Sequence, residues 1–159
     1  MTDDLRILLN QIERDFRFLA EDYAFAATPF QRSGDTITVQ YQHPQMVIQF
    51  TVRGGEWQAL AWPAAPQMQS DQVKLDDVVT YLVRPPVDFA ADQARPSLSQ
   101  SQALSELAQQ LAPVAGEMLA LFEAARWPAV WADMQAVLHA RSAARSRQFA
   151  KWWQDRQNG

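Results

Sequence analysis

The chain has 159 residues, enough for one domain that buries roughly 70% of the surface its unfolded form exposes, and no cysteine, which excludes disulfides, thiolate zinc sites and a cysteine nucleophile. Its net charge of −4 conceals an asymmetry: residues 1–138 carry nine Lys and Arg against seventeen Asp and Glu, whereas residues 139–159 carry five against one. An acidic body repels nucleic acid, so any phosphate contact would have to come from the basic tail.

The first twenty residues carry acids at their start and charges throughout, unlike a signal peptide, and no run approaches the ~20 apolar residues of a membrane span. The expectation is a cytoplasmic protein that is not an integral membrane protein. Leu5, Leu8, Leu9, Ile12, Phe16, Leu19 and Tyr23 recur at the three-and-four spacing of a single amphipathic helix, with Arg6, Asn10, Glu13, Arg17 and Glu21 on its other side. Thr2 is its expected cap, with Asp3 and Asp4 in the first turn, where carboxylates meet the positive end of the helix dipole. Pro29 and Ser33-Gly34-Asp35 end the helical pattern, and an edge strand is expected within 25–32.

Residues 36–41, 46–52 and 56–62 alternate between apolar and polar side chains, which predicts three half-buried antiparallel strands. With Gly54-Gly55 as a hairpin turn, Val52 faces Trp57, Phe50 faces Ala59 and Ile48 faces Ala61. A four-residue connection over 42–45 then sets Val39 opposite Ile48 and Ile37 opposite Phe50, so one apolar face runs across all three strands. Val47, Leu60 and Trp62 fall on the other face. That face is expected either to be covered by a helix of the back half or to form a binding groove.

Residues 63–74 read as a surface loop, followed by a short helix over 75–82 capped by Asp76 or Asp71 and stopped by Pro85-Pro86. Residues 84–97 read as a Pro-containing linker. A long helix follows, with Leu104, Leu107, Leu111, Val114, Met118, Leu119 and Phe122 as its stripe. Ser97 or Ser99 would cap it with a capping box to Gln100 or Gln102, and Pro113 should kink it without dividing it. Trp127-Pro128 starts the last helix, whose apolar residues are Val130, Trp131, Met134, Val137 and Leu138. The predicted class is α+β: an N-terminal helix, an antiparallel meander of three to four strands, a short helix, and two long C-terminal helices packed on the sheet. Residues 1–83 form the α+β core, 84–97 the linker, and 98–159 a helical hairpin on that core with a basic tail from 139, all within one structural domain.

Few residues suggest chemistry. His43 precedes Pro44 in a turn, and His139 lies among Arg141 and Arg145 without a carboxylate or histidine at ligand spacing. The pairs Asp3-Asp4, Glu21-Asp22 and Asp76-Asp77 are neighbours that point apart on a helix or sit where a cap is expected. Nucleophile-elbow, phosphate-loop and metal-binding motifs are absent. No catalytic, cofactor-binding or metal-binding residue is assigned and no cofactor is called for. The tail is more suggestive, because Arg141, Arg145, Arg147 and Lys151 interleave with Phe149, Trp152 and Trp153. Such a set can hold phosphate while stacking on bases, lie on an anionic surface, or anchor a partner subunit in a homodimer; it can equally cap a helix end and cover core.

The run Phe16-Arg17-Phe18-Leu19 to Tyr23-Ala24-Phe25, the strands from Thr36 to Trp62, and Leu75 to Leu82 resemble the front half of small uncharacterised bacterial α+β proteins. Some of these look like immunity proteins of toxin systems. The helix, meander and acidic balance also resemble type III secretion chaperones, from which the long helical back half departs. Both resemblances imply a non-catalytic protein-binding module that uses an acidic surface. Association of the basic aromatic helix with nucleic acid or an anionic surface is the alternative.

Overall fold

The computed structural model describes residues 2–159. Along the chain run α1 (Asp3–Asp15), α2 (Arg17–Tyr23), β1 (Ala26–Ala27), β2 (Gln31–Ser33), β3 (Thr36–Gln42), β4 (Met46–Arg53), β5 (Glu56–Pro63), β6 (Val73–Lys74), α3 (Leu75–Val83), α4 (Phe89–Ala94), α5 (Gln100–Leu111), α6 (Ala115–Leu121) and α7 (Trp127–Asn158). The class is α+β, with one antiparallel sheet in the order β1-β3-β4-β5-β6 and β2 also paired to β3.

The central hairpin follows from its alternation: β4 and β5 pair Arg53 with Glu56, Val52 with Trp57, Phe50 with Ala59 and Ile48 with Ala61. Gly54 alone of the two turn glycines takes positive φ, at 61°. The β3–β4 register differs from the expected one by two residues, with Tyr41 opposite Ile48, Val39 opposite Phe50 and Ile37 opposite Val52. The reason is a tighter turn. His43 N–H donates to the Met46 carbonyl and Met46 N–H to the His43 carbonyl, so only Pro44 and Gln45 form the loop. Because side chains alternate with period two, an even offset leaves the same residues on the apolar face.

Five features depart from the sequence reading. The N-terminal helix divides at Phe16 (φ −104°, ψ 12°), and Thr2 precedes it without a side-chain capping bond. The division lays the buried Phe16 ring 4.6 Å from that of Phe50. The expected edge strand is two short pieces, β1 and β2, and β6 adds a pairing to β5 that the loop composition of 63–74 did not announce. Lys74, not Asp76 or Asp71, precedes α3, and Asp71 accepts a hydrogen bond from the Trp127 indole at 3.0 Å instead. Pro113 does more than kink: a 3-10 turn over Ala112–Val114 separates α5 from α6. The capping box forms at Ser99 and Gln102.

The helices gather on one side of the sheet. Their buried residues, among them Leu8, Phe16, Val78, Leu104, Leu111, Met118, Trp127 and Met134, share a single cluster with Ile37, Tyr41, Met46, Ile48, Phe50 and Val52. Within this apolar layer Gln11, 4% exposed, is the buried polar residue. Its side-chain nitrogen donates to the Ser101 carbonyl (2.7 Å) and Ser105 Oγ (2.9 Å), and its oxygen accepts from Ser101 Oγ (2.7 Å), joining α1 to α5. Ser105 Oγ donates onward to Asp15 (2.8 Å). Burial works against the Asp15 charge, but hydrogen bonds from Arg14, Ser105 and Gln11 outweigh it and hold the carboxyl below its ordinary value.

Truncating Gln11 strands Ser101 and Ser105, so Gln11→Ala should lower stability by about 1–3 kcal/mol in urea unfolding at neutral pH. Because Asp15 is depressed in the fold, its stabilisation is present above the unfolded carboxyl value of about 3.9 and is lost as pH falls through the folded value. The stability deficit of Asp15→Asn should therefore shrink below about pH 4, which unfolding curves across pH will test.

Candidate functional site

The tail is the C-terminal half of α7, a 32-residue helix whose buried residues Trp127, Val130 and Met134 all lie near its start. Beyond them it is held by the segment expected to be a linker. The Arg141 guanidinium donates to the Pro85 carbonyl (2.6 Å), and Arg145 pairs with Asp92 while lying 5.2 Å above the Phe89 ring. The Gln148 amide donates to the Val87 carbonyl and accepts from Phe89 N–H, both at 2.7 Å. Phe89 is buried edge-on against Phe149 and Trp152 at 5.4 and 5.5 Å. Asp88 caps the short α4 within this strap by accepting from Ala91 N–H.

The six tail residues singled out from the sequence therefore occupy different surroundings. Arg141, Arg145 and Trp152 face the strap, whereas Arg147 and Lys151 make no ion pair among the described residues and Trp153 is 51% exposed beside Phe149. Arg156 lies 4.6 Å over the Trp152 ring, a cation the sequence reading had not connected with it.

Val47, Leu60 and Trp62 do come together on the second face of the sheet, Val47 directly opposite Trp62 and Leu60 opposite Gln49. None joins the cluster that the helices share, so the helix expected over this face packs elsewhere. Beside them Gln40 donates to Gln49 at 2.8 Å and Gln42 to Gln40 at 3.2 Å, a polar ladder that meets the needs of a wet sheet surface.

A third location escaped the sequence reading. Between the start of β5, the first turn of α3 and the side of α5 lies a groove of about 360 Å³ lined by Trp57, Asp76, Leu98, Ala103, Glu106 and Leu107, among others. The Trp57 indole donates to the Gln100 carbonyl at 2.9 Å, fixing that wall. Leu98 is 52% exposed on the rim, an apolar side chain left in water. Asp76 and Glu106 make no ion pair among the described residues; Glu106 accepts only from Gln110 one turn on. Next to Asp76, Asp77 is half-buried, and burial followed by the charge of Asp76 raises its carboxyl, with Lys74 offsetting part. Asp76 was legible as an acid; its sharing a groove with Glu106, across 29 intervening residues, was not.

The two histidines lie in different surroundings. His43 Nδ1 accepts from Gln45 N–H (3.1 Å), its ring lies 5.0 Å from Phe25, and burial lowers its pKa; His139 is exposed. Among the described residues no three His, Asp or Glu side chains gather as a metal site, and no helix is long and apolar enough to cross a membrane. Compared with known proteins, the chain matches no family model, no curated protein and no solved structure.

Two outcomes follow from these contacts. Gln148→Ala should speed amide hydrogen exchange over residues 85–95 while leaving the sheet amides near their wild-type rates, because the lost bonds hold only the strap. Asp77 is harder to ionise in the fold than in the unfolded chain, so the native state is favoured as pH falls through the folded value and disfavoured above it. Asp77→Asn should accordingly raise Tm at pH 7, and the gain should vanish in acid where the wild-type carboxyl is protonated.

Proposed function

We propose that the chain is a non-catalytic, cytoplasmic protein-binding module that takes a basic, partly apolar segment of another protein into the groove between α3 and α5, as bacterial immunity proteins and secretion chaperones engage their partners through acidic or apolar surfaces. The observation that carries this reading is the pairing, in one groove, of an apolar wall and exposed Leu98 with two carboxylates that have no cation of their own. A lysine or arginine beside an aliphatic or aromatic side chain complements both features at once. The acidic excess of the body would steer such a partner from a distance.

The second reading is association with nucleic acid or an anionic surface through α7. Its support is the unpaired Arg147 and Lys151 and the exposed Trp153. It draws on fewer cations than the tail sequence offers, because Arg141 and Arg145 are already hydrogen-bonded to the strap.

Fluorescence anisotropy with a panel of labelled peptides, each holding Lys or Arg next to Leu or Phe, tests the first reading. Exposed charge pairs contribute ~0.2–1 kcal/mol each. Asp76→Asn with Glu106→Gln should therefore weaken the best peptide by about twofold to thirtyfold and flatten its salt dependence. Equal binding by wild type and the double variant would refute the groove. Binding to single-stranded DNA or anionic vesicles that is lost in Arg147→Ala/Lys151→Ala would favour the tail instead.

A further inference from the structure

A second cleft lies elsewhere, between α1 and the broken edge of the sheet. Its volume is about 410 Å³, and none of its lining residues belongs to the α3–α5 groove. The opening follows from local chemistry. Between β1 and β2, Thr28 N–H donates to the Gln40 carbonyl (2.8 Å), and the Thr28 hydroxyl stands in for a backbone carbonyl by accepting from Gln40 N–H (3.3 Å). Pro29 has no N–H to continue the ladder, so the edge strand lifts away and leaves Phe30 on the rim, 55% exposed. Leu9 and Ile12 of α1 and Val39 of β3 supply the apolar walls.

The charges are unequal. Arg6, on the same side of the cleft, is paired with Asp3 at 3.2 Å. Glu13 makes neither an ion pair nor a hydrogen bond among the described residues, and Arg17, one turn further on, is not bonded to it. The Tyr41 hydroxyl feels that carboxylate: burial first, and then the charge of Glu13, push the phenol up to about 12, so it stays neutral across the physiological range. A cleft of this size with mostly apolar walls and a few polar groups has the form of a small-molecule site. One uncompensated carboxylate beside aromatic rings selects the sign of its guest.

We propose that this cleft binds a small organic ammonium ion, its charged nitrogen at Glu13 and its apolar body against Leu9, Ile12, Val39 and Phe30. This site is independent of the peptide groove, and failure of either leaves the other standing.

Titration of the full-length chain with 2-phenylethylamine and its uncharged counterpart 2-phenylethanol, followed by amide chemical shifts in two-dimensional NMR, tests it. The amine should shift residues 27–28 and 39–41 and bind at least about threefold more tightly than the alcohol. Glu13→Gln, at an exposed helix position, should remove that preference while Arg6→Ala keeps or sharpens it. Nα-acetyl-lysine methylamide, which also carries a primary ammonium, should bind more weakly than 2-phenylethylamine because its polar backbone meets an apolar wall; tighter binding by it would overturn the assignment to an ammonium ion with an apolar body. Equal affinity for amine and alcohol, a preference that survives Glu13→Gln, or no shift at millimolar amine would overturn the proposal.

Discussion

Everything in this molecule is arranged around one side of the central strand β4. Met46, Ile48, Phe50 and Val52 alternate along it and are all buried, and β3 and β5 extend the same apolar surface on either hand. At roughly 25 cal/mol per Å² of apolar area removed from water, covering that surface outweighs any local preference of the segments that cover it. The break at Phe16 illustrates the order of strengths. A continuous helix would keep one more regular turn, but dividing it places the Phe16 ring on Phe50, and the core contact prevails. The other face is met differently: its Gln and Thr side chains bond to one another on and between β3 and β4, beside a Trp62 that is itself buried.

Charge is distributed by the same logic of satisfied and unsatisfied groups. Several cations of the chain are committed: Arg53 to Asp35, Arg84 to Asp133, Arg145 to Asp92 and Arg141 to a backbone carbonyl. With eighteen acids to fourteen bases, committed cations leave a surplus of carboxylates without partners. That surplus is not spread evenly over solvated loops. Asp76 and Glu106 edge the α3–α5 groove, and Glu13 edges the cleft beside α1.

How much of this could be read from the residues depends on the range of the interaction involved. The β4–β5 register follows from Gly54-Gly55 and period two, both local, and the capping box at Ser99 and Gln102 is written in four consecutive residues. The β3–β4 pairing was displaced by two because a proline-containing loop was read as four residues, when His43 closes it to two by backbone bonds and by its ring nitrogen. The face assignment survived because the displacement was even. The break at Phe16, the two-residue β6 and the division at Ala112–Val114 depend on tertiary contacts or on a single proline whose effect could be a bend or a stop. The strap was the largest surprise. Phe89 is the one aromatic residue in a Pro-rich stretch, and its partners Phe149 and Trp152 lie some sixty residues away, so neither segment announces the other.

The strap also changes what the basic tail means. Read as sequence, Arg141, Arg145, Trp152 and Trp153 form one basic aromatic surface; read as structure, the first three belong to a contact that fastens the C-terminal half of α7 to residues 85–92. A helix of 32 residues is about 48 Å long. It has no buried side chain of its own beyond Met134, so without that fastening its last turns would rest on helix propensity alone, which is marginal in water. The arginines and the tryptophan therefore have a structural use sufficient to account for their presence. Of the carboxylates at the groove and the cleft, Asp76 sits in the first turn of α3, where the helix dipole accounts for it, whereas Glu13 and Glu106 lie within their helices and pair with no cation among the described residues, so it is these two that the proposed recognition readings rest on.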